Sequence, residues 1–384
     1  MDLDWITMLV GGLRTGGQAY FALDITEVNE NNIDAEDIAM WEFTDEDDAD
    51  LGYTFSEAIV VRTNHSDSGS NWAVLAPSGY NSTEQDGNRG DGRAYLFVLD
   101  PDDGSIIEKI EVGGTADNLA SPNGLSGIAA VTVDDDINVE FVYAGDLKGR
   151  LWKFDLTSSS STDWDASLLF DAGDEQPITS KPAVGRRPDG GEGLIVYFGT
   201  GQLLQTADVS DSEDQSFYAI LDDNSGTVSA SQLISQTLSG TDERTVTDNP
   251  IDFAVNQGFR IDLNASGGSA ERVIAEPILT GSTVAFLSVV PEEDDCGAGA
   301  TNFLNIVSRF DGGIPPDPPI LDLTGEALVV AGSPVVGIRL DNDYALQGLT
   351  LLSASDGSAS FNTPDANPAG DLGVTGRLRW RQLR

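Results

Sequence analysis

A single phrase recurs along this chain and limits what it can fold into: a Gly, a strand rich in aromatic residues, an Asp, and then a tight turn. The copies contain Asp24, Asp100, Asp155, Asp222 and Asp262, and NFLNIVSRFDGG is a looser copy. An Asp side chain can bond the backbone two residues on, and Gly accepts the positive φ that closes such a turn. The phrase therefore predicts a β-hairpin that repeats at intervals of roughly 40–75 residues.

The rest of the sequence has the pattern of an all-β protein. Short apolar runs alternate with clusters of Gly, Asn, Asp and Ser, and the 384 residues include 42 Gly. An amphipathic helical period is almost absent. Four-stranded sheets repeated around an axis form a β-propeller, and polar insertions such as Gly240–Asn249 would be exposed loops on its faces. No stretch marks a domain boundary, so we expect one propeller domain over residues 1–384.

The net charge of −44 excludes several classes of function. A nucleic-acid partner needs a basic face, and an anionic membrane surface would repel this chain. No apolar run reaches the roughly 18–20 residues of a membrane span. The acids indicate either a highly solvated surface, as in proteins of salty water, or several cation-binding loops. The acidic runs Thr44–Asp50 and Asp211–Asp214 are interpreted as solvated surface.

No catalytic motif stands out. Cys296 is the only cysteine, and the only histidine, His65, lies in a polar loop, so a Cys–His nucleophile has no support. Most Trp residues fall in or beside strands and are expected to pack between sheets. Trp164 lies in a polar loop and is interpreted as a candidate ligand contact.

The segment Val131–Leu156 carries most of the functional information. Its first half, VTVDDDINVE, places acids between two apolar strands. That arrangement suits a calcium loop in a β-hairpin, because calcium takes six to eight oxygen ligands. The alternative is an acidic, solvated hairpin turn. Its second half, YAGDLKGRLWKFDL, contains a copy of the repeated phrase.

In these residues the chain resembles the C-terminal β-propeller of PilY-type proteins of the type IV pilus. The resemblance is carried, in order, by LVGGLRTGGQAYFALDIT (9–26), WEFTDEDDADLGYTFSEAIVVR (41–62), WAVLAPSGYNS (72–82), YAGDLKGRLWKFDL (143–156), ITSKPAVG (178–185), VYFGTGQLL (196–204), QSFYAILD (215–222) and GRLRWRQLR (376–384). Their number and order make the resemblance specific. It implies a propeller of about seven blades, the first of them incomplete here.

The resemblance also predicts what lies outside this chain. Members of the family carry more blade sequence before the segment matching Trp5–Gly12, a large N-terminal half and a secretory signal. Met1 is followed by acids rather than by a positive and apolar leader, so we expect it to be a fragment start or an internal start. Arg384 is expected to be a natural end. An incomplete first blade would leave exposed strand edges.

The family's calcium loop, aligned on Tyr143–Asp146, implies five ligand positions spaced two residues apart. They are Thr132, Asp134, Asp136, Asn138 (through its backbone carbonyl) and Glu140. Thr132 stands where the family has an acid, and Asp135 and Ile137 stand where it often has Gly, which eases a sharp turn. Glu140 is longer than the usual Asp. We therefore expect weak calcium binding, with a Kd of about 10⁻⁴–10⁻³ M.

The resemblance implies a non-enzymatic module of type IV pilus biogenesis. Such a module supports pilus assembly, extension and twitching motility, opposes retraction when calcium is bound, and mediates adhesion. Its partners would be the minor pilins at the pilus tip, the N-terminal half of the same protein, and a host or surface receptor. Its location would be the cell surface, at the pilus tip or the outer membrane.

Two other functions remain open from the sequence. Quinoprotein-like dehydrogenases have propeller blades with a similar phrase, but no set of active-site residues can be named in this chain. A lectin-like or scaffold propeller unrelated to pili is the second alternative. The segments YAGD and GRLRWRQLR argue against it.

Overall fold

The fold is all-β, as predicted from the repeated phrase. The computed structural model describes residues 5–26, 38–65, 71–84, 88–133, 137–241, 243–263, 271–294 and 297–316, and the short segments 320–321, 327–329, 335–340, 350–353 and 359–362. Within these residues the regular elements are strands and short 3-10 helices. No helix in this described part is long and apolar enough to cross a membrane.

The strands follow the chain in short steps. They are β1 (Met8–Gly12), β2 (Ala19–Asp24), β3 (Ala39–Thr44), β4 (Ile59–Arg62), β5 (Trp72–Pro77), β6 (Ala94–Leu99), β7 (Ile106–Val112), β8 (Leu125–Val131), β9 (Phe141–Asp146), β10 (Arg150–Asp155), β11 (Asp165–Asp171), β12 (Ala183–Arg186), β13 (Leu194–Gly199), β14 (Ser216–Asp222), β15 (Ile234–Ser239), β16 (Glu243–Val246), β17 (Gly258–Asp262), β18 (Ile278–Thr280), β19 (Thr283–Asp294), β20 (Gly297–Ser308), β21 (Ile320–Leu321), β22 (Ala327–Val329), β23 (Val335–Leu340), β24 (Thr350–Ser353) and β25 (Ala359–Asn362). The 3-10 helices are Arg14–Gly16, Gly114–Ala116, Ser161–Asp163, Thr206–Ser210 and Ala230–Gln232.

The described strands form successive groups that we number as blades. Blade 1 is β1–β3, blade 2 is β4–β7 and blade 3 is β8–β11, each paired in chain order. A ten-stranded sheet contains blade 4 (β12, β13, β14 and β17) and blade 5 (β18, β19, β20 and β23). The strands β21, β22, β24 and β25 form blade 6. The first strands of the neighbouring blades 3 and 4, β8 and β12, contact each other. The last strands of the neighbouring blades 2 and 3, β7 and β11, also contact each other. This is the radial arrangement of a β-propeller.

Each inner blade is buried on both faces because its strands alternate between two cores. Along β6, Leu96 and Val98 pack in the apolar cluster shared with blade 3. Their neighbours Tyr95 and Phe97 pack in the cluster shared with blade 1. The strand β14 divides its side chains in the same way between the clusters on its two sides. Side chains that alternate with a period of two explain why the repeated strands are apolar throughout.

The Asp of the repeated phrase caps a turn in the copies at the ends of β2, β6, β10 and β14. Asp100 accepts the backbone N–H of Asp102 at 2.9 Å, and Asp222 accepts that of Asn224 at 3.1 Å. Asp24 and Asp155 make the same contact two residues on. Gly104 and Gly226, which close the two fullest copies, have φ of 75° and 105°. The local mechanism predicted for the phrase is therefore confirmed.

An inserted hairpin joins blades 4 and 5. The strands β15 and β16 lie between β14 and β17 in the sequence, and β15 pairs parallel with β17. On the other side β16 pairs with β23 of blade 5. The sequence predicted an exposed loop over Gly240–Asn249, which is wrong for Glu243–Val246. That stretch forms β16 because the outer edge of blade 5 supplies backbone partners.

A buried ion pair anchors this hairpin. Arg244 on β16 binds Glu271 through two bonds of 2.6 and 2.7 Å, and both side chains are fully buried. Glu271 also accepts the hydroxyl of Ser288 at 2.5 Å, and the Arg244 guanidinium lies 3.4 Å from the ring centre of Phe303. Paired and hydrogen-bonded charges of this kind are tolerated in a core, whereas a lone one is not.

Two other sequence interpretations are corrected by packing. Trp164 is only 5% exposed and belongs to the apolar cluster between blades 2 and 3, so it is not a ligand contact. In the acidic run Thr44–Asp50, Asp48 and Asp50 bind the ammonium of Lys109 at 2.7 and 2.6 Å. These two acids therefore form an ion pair with blade 2 and are not simply solvated surface.

We predict that Arg244→Met lowers the free energy of unfolding by about 3–5 kcal/mol, because it leaves the Glu271 carboxylate buried and unpaired. Urea denaturation of the whole chain measures the loss. The matched control is Arg260→Met, which removes the 3.4 Å pair of Arg260 with Asp262, where both side chains are more than a third exposed. That variant should lose less than about 1 kcal/mol. Equal losses in the two variants would refute the structural role of the buried pair.

Candidate functional site

The predicted calcium segment forms the connection between β8 and β9. The two strands pair antiparallel as far as Val131 and Phe141. Glu140 donates its backbone N–H to the carbonyl of Val131 at 3.0 Å, which closes the hairpin. The described residues of the connection are 132–133 and 137–140, so Asp134 and Asp136 lie outside the described residues. The hairpin that the sequence predicted here is present.

Both neighbouring blades hold this connection. On the side of blade 2, Arg62 and Asn138 form an isolated parallel β-bridge, and the Asn138 amide donates to Asn64 Oδ1 at 2.9 Å. On the side of blade 4, the guanidinium of Arg186 donates to the carbonyl of Val133 at 2.9 Å. The connection is therefore anchored on both sides.

Three of the five predicted ligand residues are described, and Glu140 is the best placed of them. It is buried, and its carboxylate turns back into the connection, where it accepts the backbone N–H of Val133. Asn138 is half-buried and Thr132 is exposed. The orientation of Glu140 fits the last ligand position of a calcium loop.

The described residues do not by themselves form a metal centre. Among them, no group of three or more His, Cys, Asp or Glu side chains is placed to hold a metal ion. Two of the carboxylates that the calcium hypothesis needs, Asp134 and Asp136, lie outside that search. The donor set is made of oxygen atoms, which suits a hard cation such as calcium. The calcium site therefore stays a prediction.

Asp146 organises the other end of β9. It is fully buried, and its Oδ1 accepts the backbone N–H groups of Lys148 at 2.9 Å and Arg150 at 3.0 Å. These bonds close the turn between β9 and β10. The preceding Gly145 is required by close packing, since a Cβ there would lie 2.1 Å from Cγ2 of Ile178. The sequence GDLKGR thus forms a capped turn that packs closely against the segment preceding blade 4.

The second oxygen of the Asp146 carboxylate accepts hydrogen bonds from three side chains. Its Oδ2 accepts Arg150 Nε at 2.8 Å, Trp152 Nε1 at 2.8 Å and Asn123 Nδ2 at 2.9 Å. Asn123 Nδ2 also donates to Oδ2 of Asp117 at 2.9 Å, and Arg150 Nη2 donates to the same atom at 2.5 Å. The two buried carboxylates therefore share the Asn123 amide and the Arg150 guanidinium.

Positive and negative charges balance in this group. Lys148 Nζ lies 2.9 Å from Asp117 Oδ1, so two bases face two acids. Burial disfavours the charged form of Arg150, but the Asp146 and Asp117 carboxylates outweigh burial and raise its pKa. We name the set the Asp146 cluster: Asp117, Asn123, Asp146, Lys148, Arg150 and Trp152.

Sequence reasoning found only part of the Asp146 cluster. The resemblance singled out YAGDLKGRLW, which contains four of its six residues. Asp117 and Asn123 come from the connection before β8, and neither stands in a motif. They reach Asp146 because the start of β8 pairs with the end of β9, where Leu125 lies opposite Asp146.

A second buried charge contact joins blades 3 and 4. Lys153 on β10 pairs with Asp222 at the end of β14 at 2.6 Å, and Tyr143 donates its hydroxyl to the same carboxylate at 2.6 Å. Burial and the charge of Asp222 raise the pKa of Tyr143. Asp222 therefore caps its own turn and binds the neighbouring blade at the same time.

We predict that Asp146→Asn destabilises the chain by about 3 kcal/mol, because it removes one of the two carboxylates that compensate the buried Arg150. Urea denaturation gives the loss, and the fluorescence of Trp152 reports the altered environment of its indole. The control is Asp155→Asn on the same hairpin, where the carboxylate accepts hydrogen bonds from the backbone and hydroxyl of Thr157 and compensates no buried base among the described residues. The control should lose about 1 kcal/mol. A loss in Asp146→Asn no larger than this would contradict the role assigned to the cluster.

Comparison with known proteins gives one family. The model of the PilY1 beta-propeller domain matches residues 1–250. A type IV pilus biogenesis factor PilY1 homolog from Xylella fastidiosa is 29% identical over 95% of this chain and 26% of its own length. The type IV pilus biogenesis factor PilY1 of Pseudomonas aeruginosa is 28% identical over 99% of this chain and 36% of its own length.

The fold agrees with this comparison. The crystal structure of the Pseudomonas aeruginosa PilY1 C-terminal domain matches with a TM-score of 0.75 and 26% identity, over 95% of this chain and 81% of that one. The chain spans between 26% and 36% of the length of these two curated relatives. From its sequence match and its radial blades, the chain belongs to the PilY1 β-propeller family.

Proposed function

We propose that this chain is the propeller module of a type IV pilus biogenesis factor, acting in pilus assembly, extension and twitching motility and in surface adhesion. The observation that carries the proposal is the family match, which joins the fold to relatives named as type IV pilus biogenesis factors. The Asp146 cluster gives the segment YAGDLKGRLW, on which the sequence resemblance partly rests, a structural role in this chain.

A non-enzymatic role fits better than catalysis. The relatives are named for pilus biogenesis and not for a reaction. Nothing in these comparisons favours the quinoprotein dehydrogenase that the sequence left open. His65, the only histidine, is fully buried and bonded to Thr63, which is not the setting of an accessible base. Cys296 lies outside the described residues.

The proposed location is the cell surface, at the pilus tip or associated with the outer membrane. The proposed partners are the minor pilins of the tip, the N-terminal half of the same protein, and a receptor on a host or another surface. A charge of −44 suits a partner surface that is basic or neutral and disfavours nucleic acid.

We further propose that the β8–β9 connection binds calcium weakly through Thr132, Asp134, Asp136, Asn138 and Glu140. The support is the inward carboxylate of Glu140 and the anchoring of the connection by Asn64 and Arg186. A bound cation would offset the repulsion among the three carboxylates and favour one conformation of the hairpin.

The calcium proposal predicts a concentration-dependent stabilisation. At about 10 mM calcium and a Kd of about 1 mM, binding to the folded chain alone adds about 1.4 kcal/mol, which raises the Tm. Terbium luminescence gives a second readout, because terbium binds oxygen sites of this kind. Asp136→Ala should abolish both effects, while Asp102→Ala, an exposed acid in another hairpin, should leave both unchanged. An Asp136→Ala protein that responds to calcium like the parent would refute the site.

The pilus proposal predicts a cellular phenotype. Deleting the full-length gene that encodes this chain should remove most surface pili and stop twitching, and a plasmid copy should restore both. Electron microscopy of shed and attached pili, with subsurface twitching zones, measures the result. Normal piliation and motility in the deletion strain would reject the assignment. The calcium result is independent of this outcome, because it concerns only the purified chain.

A further inference from the structure

A cavity of 570 Å³ opens where the second strands of successive blades end. Its wall comes from the segments that follow β1, β5, β9 and β13, and from the segments that precede β4 and β8. Equivalent strands of neighbouring blades run in the same direction, so these ends meet on one face of the propeller. The volume is in the range of about 300–1,000 Å³ that small-molecule sites occupy.

The described wall of this cavity is built from uncharged residues. It contains three aromatic rings, of Tyr53, Phe55 and Tyr80, together with amide and hydroxyl side chains and two leucines. None of the described residues that line it is Asp, Glu, Lys or Arg, in a chain of which 22% is charged. The carboxylates of the Asp146 cluster lie behind the wall, but Lys148 and Arg150 neutralise them. The described lining side chains themselves therefore suit a neutral ligand.

Asn123 presents an acceptor without a partner. It lines the cavity, is only 3% exposed, and donates through Nδ2 to Asp117 and Asp146. Since both partners are carboxylates that accept only, the orientation of the amide is fixed and Oδ1 faces away from the Asp146 cluster. Among the described residues, this Oδ1 has no hydrogen-bond donor. A buried acceptor of this kind is costly unless a water molecule or a ligand supplies a donor.

Two strained backbone positions border the cavity. Asn81, an exposed residue of the wall, has φ of 64°, and Arg14, which precedes the lining residue Thr15, has φ of 55°. Asn224 is the third described residue other than Gly with a positive φ. Such conformations are uncommon outside Gly, and they concentrate at binding sites. At Asn81 the strained backbone places an amide at the edge of the cavity.

The aromatic part of the wall is held in place. Tyr53 and Tyr80 exchange backbone hydrogen bonds of 2.7 and 3.2 Å across the two segments. The Tyr53 hydroxyl donates to Glu84 at 2.5 Å, and the Tyr80 hydroxyl donates to the carbonyl of Thr179 at 3.2 Å. The rings of Phe55 and Tyr80 lie 6.0 Å apart. The site is therefore built before any ligand arrives, which lowers the cost of binding.

We propose that this cavity binds a neutral saccharide. The C–H faces of a sugar ring pack against aromatic rings, and its hydroxyls donate to acceptors such as Asn123 Oδ1 and accept from amides such as that of Asn81. We expect uronic and sialic acids to be disfavoured, because the chain carries a charge of −44 and no described lining residue is a Lys or Arg. The proposal does not rest on the pilus assignment or on the calcium loop.

Saturation-transfer NMR on the whole chain with free glucose, galactose, mannose and N-acetylglucosamine tests the proposal, together with an array of immobilised neutral oligosaccharides. Glucuronic acid and N-acetylneuraminic acid serve as the charged sugars for comparison. We expect binding to at least one neutral sugar and none to the acids. Signals from free sugars would show that a single sugar suffices, and binding on the array alone would show that a longer chain is needed.

Two variants link binding to the cavity. Phe55→Ala removes a stacking face, and Asn81→Asp places a charge at the edge of the cavity, and each should weaken binding about tenfold or more. Asn224→Asp is the matched control, because it makes the same change at a left-handed Asn on blade 4 and should bind like the parent. The Tm of each protein shows that it is folded.

Three results would overturn the proposal. The first is no binding of any neutral sugar at millimolar concentration. The second is neutral-sugar binding that Phe55→Ala and Asn81→Asp both leave unchanged. The third is binding of glucuronic or N-acetylneuraminic acid that is as strong as the binding of every neutral sugar, since the ligand class would then be wrong.

Discussion

The structure depends on the fact that its inner blades have two apolar faces and therefore cannot be stable alone. The side chains of β6 and β14 are all buried, and alternate residues enter different cores. A fully buried Phe such as Phe97 contributes about 1.5–3 kcal/mol only if the neighbouring blade is present to cover it. Stability is consequently a property of pairs of blades. The copies of the repeated phrase are accordingly spread along the chain, with at least one copy in each of blades 1 to 4.

The scarce basic residues of this chain serve that packing. The chain has only 20 Lys and Arg against 64 acids, and each of its four lysines lies in an ion pair. The ion pair of Lys153 with Asp222 joins blade 3 to blade 4. Lys109 on β7 forms ion pairs with two acids in the segment after β3. Buried positions have few water molecules to screen charge, so the nearly buried Lys153 lies beside an acid, and the buried Arg272 donates to three backbone carbonyls. The acid excess is thereby left to the surface, where solvent and salt tolerate it.

Local features were predictable from the sequence, and contacts between distant residues were not. The turns at Asp100 and Asp222 follow from a carboxylate and a Gly a few residues apart, so the phrase was enough to find them. Trp164 was misread because its neighbours are polar. Its indole donates to the carbonyl of Ser158 and its ring meets the imidazole of His65 from another blade.

The pairs that organise the interior are separated too widely to be read from spacing. Arg244 and Glu271 are 27 residues apart, and Lys109 and Asp48 are 61 apart. The acidic connection shows a different limit. The family resemblance predicted a ligand set there, but only the fold shows that the Glu140 carboxylate turns inward and that Arg186 of blade 4 bonds to the connection.

The strand β8 divides the two sites and gives the propeller two chemically different faces. Its first residue, Leu125, follows the uncharged cavity wall at Asn123, and its last, Val131, leads into the acidic connection. Five of its seven residues are buried, so the strand is packed on both sides and resists sliding along its axis. A cation at one end would therefore change the hairpin beside it without reshaping the cavity at the other. If both proposals hold, the calcium response and the saccharide binding are therefore separable, and a variant that removes either should leave the other intact.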